Sequence, residues 1–309
     1  MLRVLAVMMS SGEVTIDKSI ESIGRQSGCD VELEIIRGLP EGEAHKRLYA
    51  LLNQRGNEFD LLAKVDPDML LGNPGLFSSA GDQFQIFPSL ATLVVPVWDF
   101  LTHRNILGLH VWRGGVRFMA QDRGLWHDHV SISSYPNNRV LVSFSSQSSV
   151  THFSEGSDAQ IVRYIWRRLV KAAMAKRSLS VFRAIPEIYR AEKIPFRSRA
   201  VHALSLGIHP EYRESITEAV LRDRAESALV TPLNPTIGME ETARLMDALS
   251  QTNERQIRHG LRQIAKSIEP DLPDRRTTRA NLPRALLSKI MTPVVSRSFQ
   301  TSLAGRNFG

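Results

Sequence analysis

The chain has 309 residues, of which 42% are hydrophobic and 23% are charged, and it holds a single cysteine. This length suits one large domain or one domain with an appendage, and one cysteine excludes an intrachain disulfide. No run of about 18 apolar residues is present, so no membrane-spanning helix is expected, and the first residues read as a strand rather than as a secretory signal. We therefore expect a globular, cytoplasmic protein.

The net charge of +7 is unevenly distributed, because residues 1–159 carry a net charge of −5 and residues 160–309 carry +12. A basic half of this kind suggests attraction to an anionic substrate, an anionic membrane surface or nucleic acid, and the alternative is a solvated helical surface. Nucleic acid is the least favoured of these partners, because aromatic residues make up only 7% of the chain and no nucleic-acid-binding motif is present.

The first 65 residues alternate between strand patterns and helix patterns. Residues 2–8, LRVLAVM, form the apolar run of a strand buried on both faces, and isoleucines at helical spacing follow. Residues 31–36, VELEII, form a second strand pattern, and a turn and a second helix lead to a third strand pattern, FDLLAKV, at residues 59–65. This order predicts a parallel sheet with right-handed crossovers.

The remainder of the chain divides into a β-rich part and a helical part. Residues 84–150 contain strand patterns separated by turn signals such as RGG and YPNN, and the pattern is helical from about residue 158. We expect an α/β fold with a mixed, mainly parallel, Rossmann-like sheet flanked by helices. We place one domain at residues 1–178 and a helical, basic C-terminal region at residues 179–309.

Several motifs of nucleotide-binding proteins and hydrolases are missing from the sequence. It has no phosphate-binding G-x-x-x-x-G-K-S/T loop, no G-x-G-x-x-G fingerprint, no H-E-x-x-H motif and no G-x-S-x-G elbow, and it has no cysteine cluster for zinc. A P-loop ATPase, a simple dinucleotide enzyme, a zinc protease and a serine hydrolase are therefore disfavoured.

Two aspartates follow the third predicted strand in the stretch FDLLAKVDPDMLL. Asp66 and Asp68 supply hard oxygen ligands of the kind that Mg²⁺ and Mn²⁺ prefer, and Pro67 stiffens the pair because its φ angle is fixed. Ligands of parallel α/β sheets bind at the carboxyl ends of the strands, which is where the two aspartates lie. The pattern favours a cation site over a simple acidic strand exit.

The ordered set of segments LRVLAVMMS, SIESIGRQ, VELEII and FDLLAKVDPDMLL, followed by THFSEGSDAQIVRYIWRRLVKA, resembles inverting, nucleotide-sugar-dependent glycosyltransferases of the GT-A fold. The resemblance covers residues 2–175, and DPD would be the D-x-D motif of the family. It implies a Mn²⁺ or Mg²⁺ cofactor with Asp66, Asp68 and His152 as ligands. The residues implied to contact the nucleotide donor are Met8, Met9, Ser10, Lys64 and Asp66.

The same resemblance implies a carboxylate that deprotonates the acceptor hydroxyl as general base. Three aspartates are candidates, in the order Asp128, Asp122 and Asp99. Asp128 ranks first because it follows Trp126, an aromatic residue that could stack on a sugar.

The function expected from the resemblance is transfer of a hexose from a UDP- or GDP-sugar to a hydroxyl acceptor, for instance in surface polysaccharide synthesis. The acceptor is a glycan, a lipid-linked sugar or another hydroxyl compound, and peripheral membrane contact and oligomer formation stay open. One alternative is a sugar nucleotidyltransferase, which would release pyrophosphate. Another is a non-catalytic module that binds a membrane or nucleic acid through the basic half.

Overall fold

The computed structural model describes residues 1–119, 131–132, 139–142, 150–152, 160–161 and 164–165, and the single positions 244, 255 and 259. In these residues the strands are β1 Leu2–Ser10, β2 Cys29–Arg37, β3 Leu61–Lys64, β4 Met69–Leu71, β5 Leu90–Asp99, β6 Arg104–Arg113, β7 Phe118–Met119, β8 Ser131–Ile132, β9 Arg139–Val142 and β10 Val150–His152. The helices are α1 Ile16–Gly24, α2 Glu41–Arg55 and α3 Leu76–Ile86, with a 3-10 helix at Gly56–Glu58.

The main sheet is mixed, with the strand order β2-β1-β3-β6-β5-β10-β4 and with β9 paired to β5 beside β10. Neighbouring strands β2, β1 and β3 are parallel, as are β5 and β10, whereas β6 is antiparallel to both β3 and β5. Strands β1, β2, β3, β5 and β10 therefore share one direction and end at one edge, here called the carboxyl edge.

Helices cover both faces of the sheet because the strands alternate apolar side chains between them. Val4 of β1 faces a core cluster that includes Ile23 of α1 and Phe77 of α3. The next residue, Leu5, faces a second cluster that includes Leu48 of α2. The expected mixed, mainly parallel sheet with flanking helices is therefore observed.

The secondary structure predicted from the sequence was wrong in three places. Residues 84–86 belong to α3 rather than to the β-rich part, because Phe77, Ala80 and Phe84 recur at helical spacing and bury one face. Strand β4 was missed because it has only three residues. The serine-rich sequence SSQSSVTHFSEGSD at residues 145–158 predicts a loop around His152, but His152 ends strand β10, which pairs with both β4 and β5.

Contacts along the chain divide it into two units, Met1–Pro270 and Asp271–Gly309, and every described residue lies in the first. The predicted boundary at residue 178 lies outside the described residues and stays a prediction. The described residues at 160–161 and 164–165 are helical, as expected for the start of the helical part. Within the described part of the chain, no helix has the length and apolar character needed to cross a membrane.

Candidate active site

Three strands bring polar side chains together at the carboxyl edge. Strand β10 lies between β5 and β4, and in this register His152 is opposite Asp99 on one side and Met69 on the other. Asp68 directly precedes Met69, so it reaches the same place from the third strand. Asp68, Asp99 and His152 are far apart in the sequence but therefore lie close together in the fold.

Residues 65–68 connect β3 to β4, which lie on opposite sides of the β5–β6 pair in the strand order. The segment 66–68, here called the acid segment, therefore passes along the carboxyl edge. Its first carbonyl oxygen, that of Asp66, accepts a 3.0 Å hydrogen bond from the backbone N–H of Met69, which closes a tight turn. Pro67 at the centre of this turn limits its backbone freedom.

Helix α1 and the residue before it hold the acid segment through buried hydroxyl groups. Thr15 Oγ1 donates to the Pro67 carbonyl at 3.0 Å, and Ser19 Oγ donates to the Asp66 carbonyl at 3.5 Å. Ser22 Oγ accepts from the backbone N–H of the last residue of β4 at 3.1 Å. This anchor was not predicted from the sequence, although the three hydroxyls share one helical face at positions 15, 19 and 22.

Asp68, His152 and Asp99 form a continuous chain of polar groups, here called the acid–histidine chain. His152 Nε2 lies 3.5 Å from Asp68 Oδ2, and His152 Nδ1 lies 3.0 Å from Asp99 Oδ1. The exposed fraction of the side chain is 17% for Asp68, 8% for His152 and 0% for Asp99. Asp68 is therefore the outer end of the chain and Asp99 is its inner end.

The second carboxylate oxygen of Asp99 also accepts hydrogen bonds. Tyr164 donates its hydroxyl to Asp99 Oδ2 at 2.8 Å, and Thr102 Oγ1 donates to the same oxygen. The ring of Tyr164 lies 5.2 Å from the ring of His152, measured between centroids. Neither Thr102 nor Tyr164 was singled out in the sequence. Thr102 lies three positions after Asp99, whereas the contact of Tyr164 depends on how distant segments meet.

The electrostatics of the acid–histidine chain reflect its burial. Burial alone would lower the pKa of His152, but attraction to the Asp68 carboxylate and hydrogen bonds to Asp68 and Asp99 raise it to about 10. Burial would raise the pKa of Asp68, but the His152 ring opposes this and holds the pKa below its ordinary value. These contacts favour a protonated ring beside the Asp68 carboxylate, and a cation bound through Nε2 would have to displace that proton.

Lys64 and Asp66 form a second pair beside the acid–histidine chain. Lys64 Nζ lies 3.2 Å from Asp66 Oδ1, and the side chains are 10% and 34% exposed. Lys64 is opposite His110 of β6 in the sheet register. Asp66 is thus the more accessible of the two aspartates of the D-x-D pattern, and its carboxylate is directed to a lysine rather than to His152.

The three residues at the end of β1 that were predicted to contact the nucleotide donor have different environments. Met8 is fully buried in the core cluster on the α1 side, and Met9 packs against the cluster on the α2 side. Ser10 Oγ donates to Glu13 Oε2 at 2.8 Å, and the same carboxylate oxygen accepts from the backbone N–H of Ser11 at 2.8 Å. Ser10 and Glu13 therefore shape the turn after β1.

Asp68 and His152 bring a carboxylate oxygen and a ring nitrogen to within 3.5 Å of each other, and both atom types can bind a cation. Among the described residues, no group of three or more His, Cys, Asp and Glu side chains is placed to hold a metal ion. Mg²⁺ sites commonly use one or two carboxylates and complete their coordination with waters and substrate phosphates, and Mn²⁺ also accepts imidazole. The pair fits a cation that is shared with a phosphorylated ligand. Asp122 and Asp128 lie outside the described residues.

No protein-family model matches the chain, and no curated protein matches it. Among solved structures, the chain is similar to A197 from STIV, with 11% identity and a TM-score of 0.28 over 36% of this chain and 65% of the other. It is similar to TarS 1-349 from S. aureus, with 12% identity and a TM-score of 0.37 over 86% and 91%. It is also similar to the mannosyltransferase PcManGT from Pyrobaculum calidifontis in complex with GDP-Man and Mn²⁺, with 13% identity and a TM-score of 0.38 over 87% of each chain. These values are low, and the residues at the carboxyl edge are the better guide to function.

Proposed function

We propose that the protein is a metal-assisted glycosyltransferase that moves a sugar from a nucleotide diphosphate sugar to a hydroxyl acceptor. The observation that carries this proposal is the pair of Asp68 and His152, whose carboxylate and ring nitrogen lie 3.5 Å apart at the carboxyl edge of the sheet. Ligands of open α/β sheets bind at this edge. Because the pair is buried and the acid segment is constrained, this arrangement supports a binding site more strongly than an isolated D-x-D pattern does.

In this proposal Asp68 and His152 hold a divalent cation, Mn²⁺ or Mg²⁺. The cation supplies charge neutralisation for a departing nucleoside diphosphate. Lys64 and Asp66 lie next to this position and contact the donor, with the Lys64 ammonium suited to phosphate and the Asp66 carboxylate suited to a ribose hydroxyl.

The transfer itself is proposed as an inverting displacement. The acceptor oxygen bonds to the anomeric carbon while the bond from that carbon to the diphosphate oxygen breaks, and a carboxylate accepts the hydroxyl proton. Asp128 and Asp122 keep their ranking as candidates for this base. Asp99 is a poor candidate, because it is fully buried and both of its oxygens already accept hydrogen bonds.

The proposal retains a UDP- or GDP-sugar as the donor and a glycan or lipid-linked sugar as the acceptor. A cytoplasmic location, with peripheral contact of the basic half with a membrane, is part of the same proposal. This setting is supported by the net charge of +12 in residues 160–309.

Calorimetric titration of UDP and GDP, with and without Mn²⁺, tests the donor site. We expect one nucleotide to bind in a Mn²⁺-dependent manner, and we expect Asp68→Ala to abolish that binding. Asp60→Asn is a matched control, because Asp60 lies just before β3 and caps the backbone N–H of Arg3 at 2.8 Å, at the end of the strand opposite to the acid segment. The absence of nucleotide binding under every metal condition would contradict the proposal.

A product assay separates this function from that of a sugar nucleotidyltransferase. A glycosyltransferase releases a free nucleoside diphosphate when an acceptor is supplied, whereas a nucleotidyltransferase releases pyrophosphate. We expect nucleoside diphosphate, in an amount equal to the sugar transferred.

A further inference from the structure

We propose that Asp99 is a positioning residue that fixes the ring of His152 so that Nε2 is directed to Asp68. This inference rests on the proposed function in one respect, namely that Asp68 and His152 share a divalent cation. It changes the role of Asp99 from that of a general base, as predicted from the sequence, to that of a group that acts through His152. Thr102 and Tyr164 belong to the same arrangement because they hold Asp99.

The geometry of His152 leaves Asp99 as the group that sets the ring orientation. An imidazole has two ring nitrogens on different sides, so a hydrogen bond at Nδ1 determines where Nε2 points. Nδ1 lies 3.0 Å from Asp99 Oδ1, and this contact is buried. Histidines that bind metals usually donate the other ring N–H to a carboxylate or a carbonyl, which fixes the ring and its tautomer.

The backbone fixes the two partners before their side chains meet. His152 and Asp99 are direct neighbours in the parallel pairing of β10 with β5. The His152 carbonyl also accepts a 3.0 Å hydrogen bond from the backbone N–H of Phe100, one residue beyond Asp99. The separation of the two Cα atoms is therefore set by the sheet, and the side-chain contact needs little further ordering.

Asp99 is itself held from two other segments. Thr102 belongs to the turn after β5, and Tyr164 belongs to the helical segment after β10. Both hydroxyls donate to Oδ2, which leaves Oδ1 directed to the histidine ring. Three contacts on one buried carboxylate hold it in a single orientation.

The burial gradient separates the roles of the two carboxylates. The Asp68 side chain is 17% exposed and that of Asp99 is 0% exposed, with His152 between them. A ligand that reaches the carboxyl edge therefore meets Asp68 and the Nε2 side of the ring. Asp99 acts on that ligand only through His152.

Electron spin-echo spectroscopy of bound Mn²⁺ tests this inference on the full-length protein, because it detects the ¹⁴N nucleus of a coordinated imidazole. We expect the ¹⁴N signal in the unchanged protein and its loss in His152→Gln. We expect Asp99→Ala to weaken Mn²⁺ binding by about 10–100-fold and to reduce the ¹⁴N signal. Asp99→Asn keeps the shape of the side chain and one acceptor oxygen. We therefore expect its Mn²⁺ affinity and its ¹⁴N signal to lie between those of Asp99→Ala and those of the unchanged protein.

Tyr164→Phe provides a second, milder variant if Asp99→Ala does not fold. It removes one donor to Asp99 and leaves the ring contact with His152, so we expect a smaller loss of Mn²⁺ affinity in the same direction.

Asn53→Ala is the matched control for a merely structural effect. Asn53 makes two half-buried hydrogen bonds to the backbone of Phe118, at 2.8 and 2.9 Å. Its loss should lower the unfolding temperature and leave the Mn²⁺ affinity and the ¹⁴N signal unchanged.

The outcomes separate this inference from the proposed function. Three results would each overturn the positioning role. They are Mn²⁺ binding without a ¹⁴N signal in the unchanged protein, no Mn²⁺ binding at all, and a folded Asp99→Ala variant whose Mn²⁺ affinity and ¹⁴N signal are unchanged. Nucleotide binding could still occur in each case. A ¹⁴N signal that depends on Asp99, in a protein that binds neither UDP nor GDP, would support the positioning role and contradict the glycosyltransferase.

Discussion

Two regions of the molecule combine one cationic side chain with several carboxylates, and they differ in their exposure to water. In the acid–histidine chain, His152 lies between two carboxylates and is almost fully buried. On the surface beside β2, Arg55 contacts Glu32, Glu34 and Glu58, whose side chains are 43–51% exposed. We call this second group the Arg55 cluster.

The difference shows how burial converts a common set of residues into a constrained site. Exposed ion pairs gain little, because water screens the charges and the long side chains lose entropy. A buried pair has been removed from water, so the loss of either partner leaves an uncompensated charge. The acid–histidine chain should therefore be sensitive to single substitutions, and the Arg55 cluster should tolerate them.

The largest effect is expected for Asp99→Ala. This change removes the inner carboxylate of the acid–histidine chain and leaves the ring and two hydroxyls without that acceptor. We expect the free energy of unfolding to fall by about 3–5 kcal/mol. Urea unfolding followed by circular dichroism measures the change. A loss of stability no greater than that of a surface substitution would show that the two regions do not differ in their sensitivity to single substitutions.

The next effect is expected for Asp68→Asn, which keeps the shape of the side chain and removes its charge. The affinity for Mn²⁺ should fall by more than about 100-fold, because the loss of a direct ligand exceeds the effect of losing a group behind a ligand. Glu34→Gln makes the same chemical change in the Arg55 cluster and should leave the Mn²⁺ affinity unaltered. Equal losses in the two variants, measured by titration of Mn²⁺, would contradict the assignment of the site.

A smaller effect is expected for Thr15→Val, which removes the hydroxyl that donates to the Pro67 carbonyl and preserves the volume of the side chain. The cost should be about 1–2 kcal/mol, because the carbonyl is buried with the hydroxyl. Ser27 is the matched control, since its hydroxyl donates to the Pro74 carbonyl at 3.3 Å on the exposed surface. Ser27→Ala should cost less than Thr15→Val in the same denaturation experiment.

The smallest effect is expected for Glu32→Gln. The hydrogen bond from Arg55 lowers the pKa of Glu32 from its ordinary value of 4.5. Since the folded-state pKa is the lower one, the stabilisation is present above pH 4.5 and is lost as the pH falls through the folded-state pKa. Exposure limits the contribution to about 0.5 kcal/mol or less, and it should decrease further in high salt. Unfolding at pH 7 and pH 3 in low and high salt measures it, and a contribution that salt leaves unchanged would contradict the exposed character of the cluster.

The first three strands and their helices could be predicted from the sequence because their signals are local. The apolar run of β1, the isoleucines of α1 and the leucines of α2 each have the period of their own element. The position of Asp66 and Asp68 after the third strand was also predictable, since it follows from the order of those elements.

The remainder of the site could not be predicted because it depends on pairing between distant strands. No local pattern shows that β6 inserts between β3 and β5, or that the three residues of β4 pair with β10. The strand pairing, rather than the serine-rich sequence around His152, decides its conformation. For the same reason the contacts of Asp99 with His152 and Tyr164 became visible only in the fold.

The position of β10 between β5 and β4 has a consequence for the order in which the protein becomes functional during folding. His152 follows Asp99 by 53 positions, and Tyr164 follows it by 65. The parallel strands near the N-terminus can pair while these later segments are still being synthesised, because folding during synthesis begins at the N-terminal end. We expect a nascent chain that ends before residue 150 to contain the sheet around β1 but to lack the completed site. The acid–histidine chain, with its hydrogen bond from Tyr164, would then be completed only after residue 164 has been synthesised.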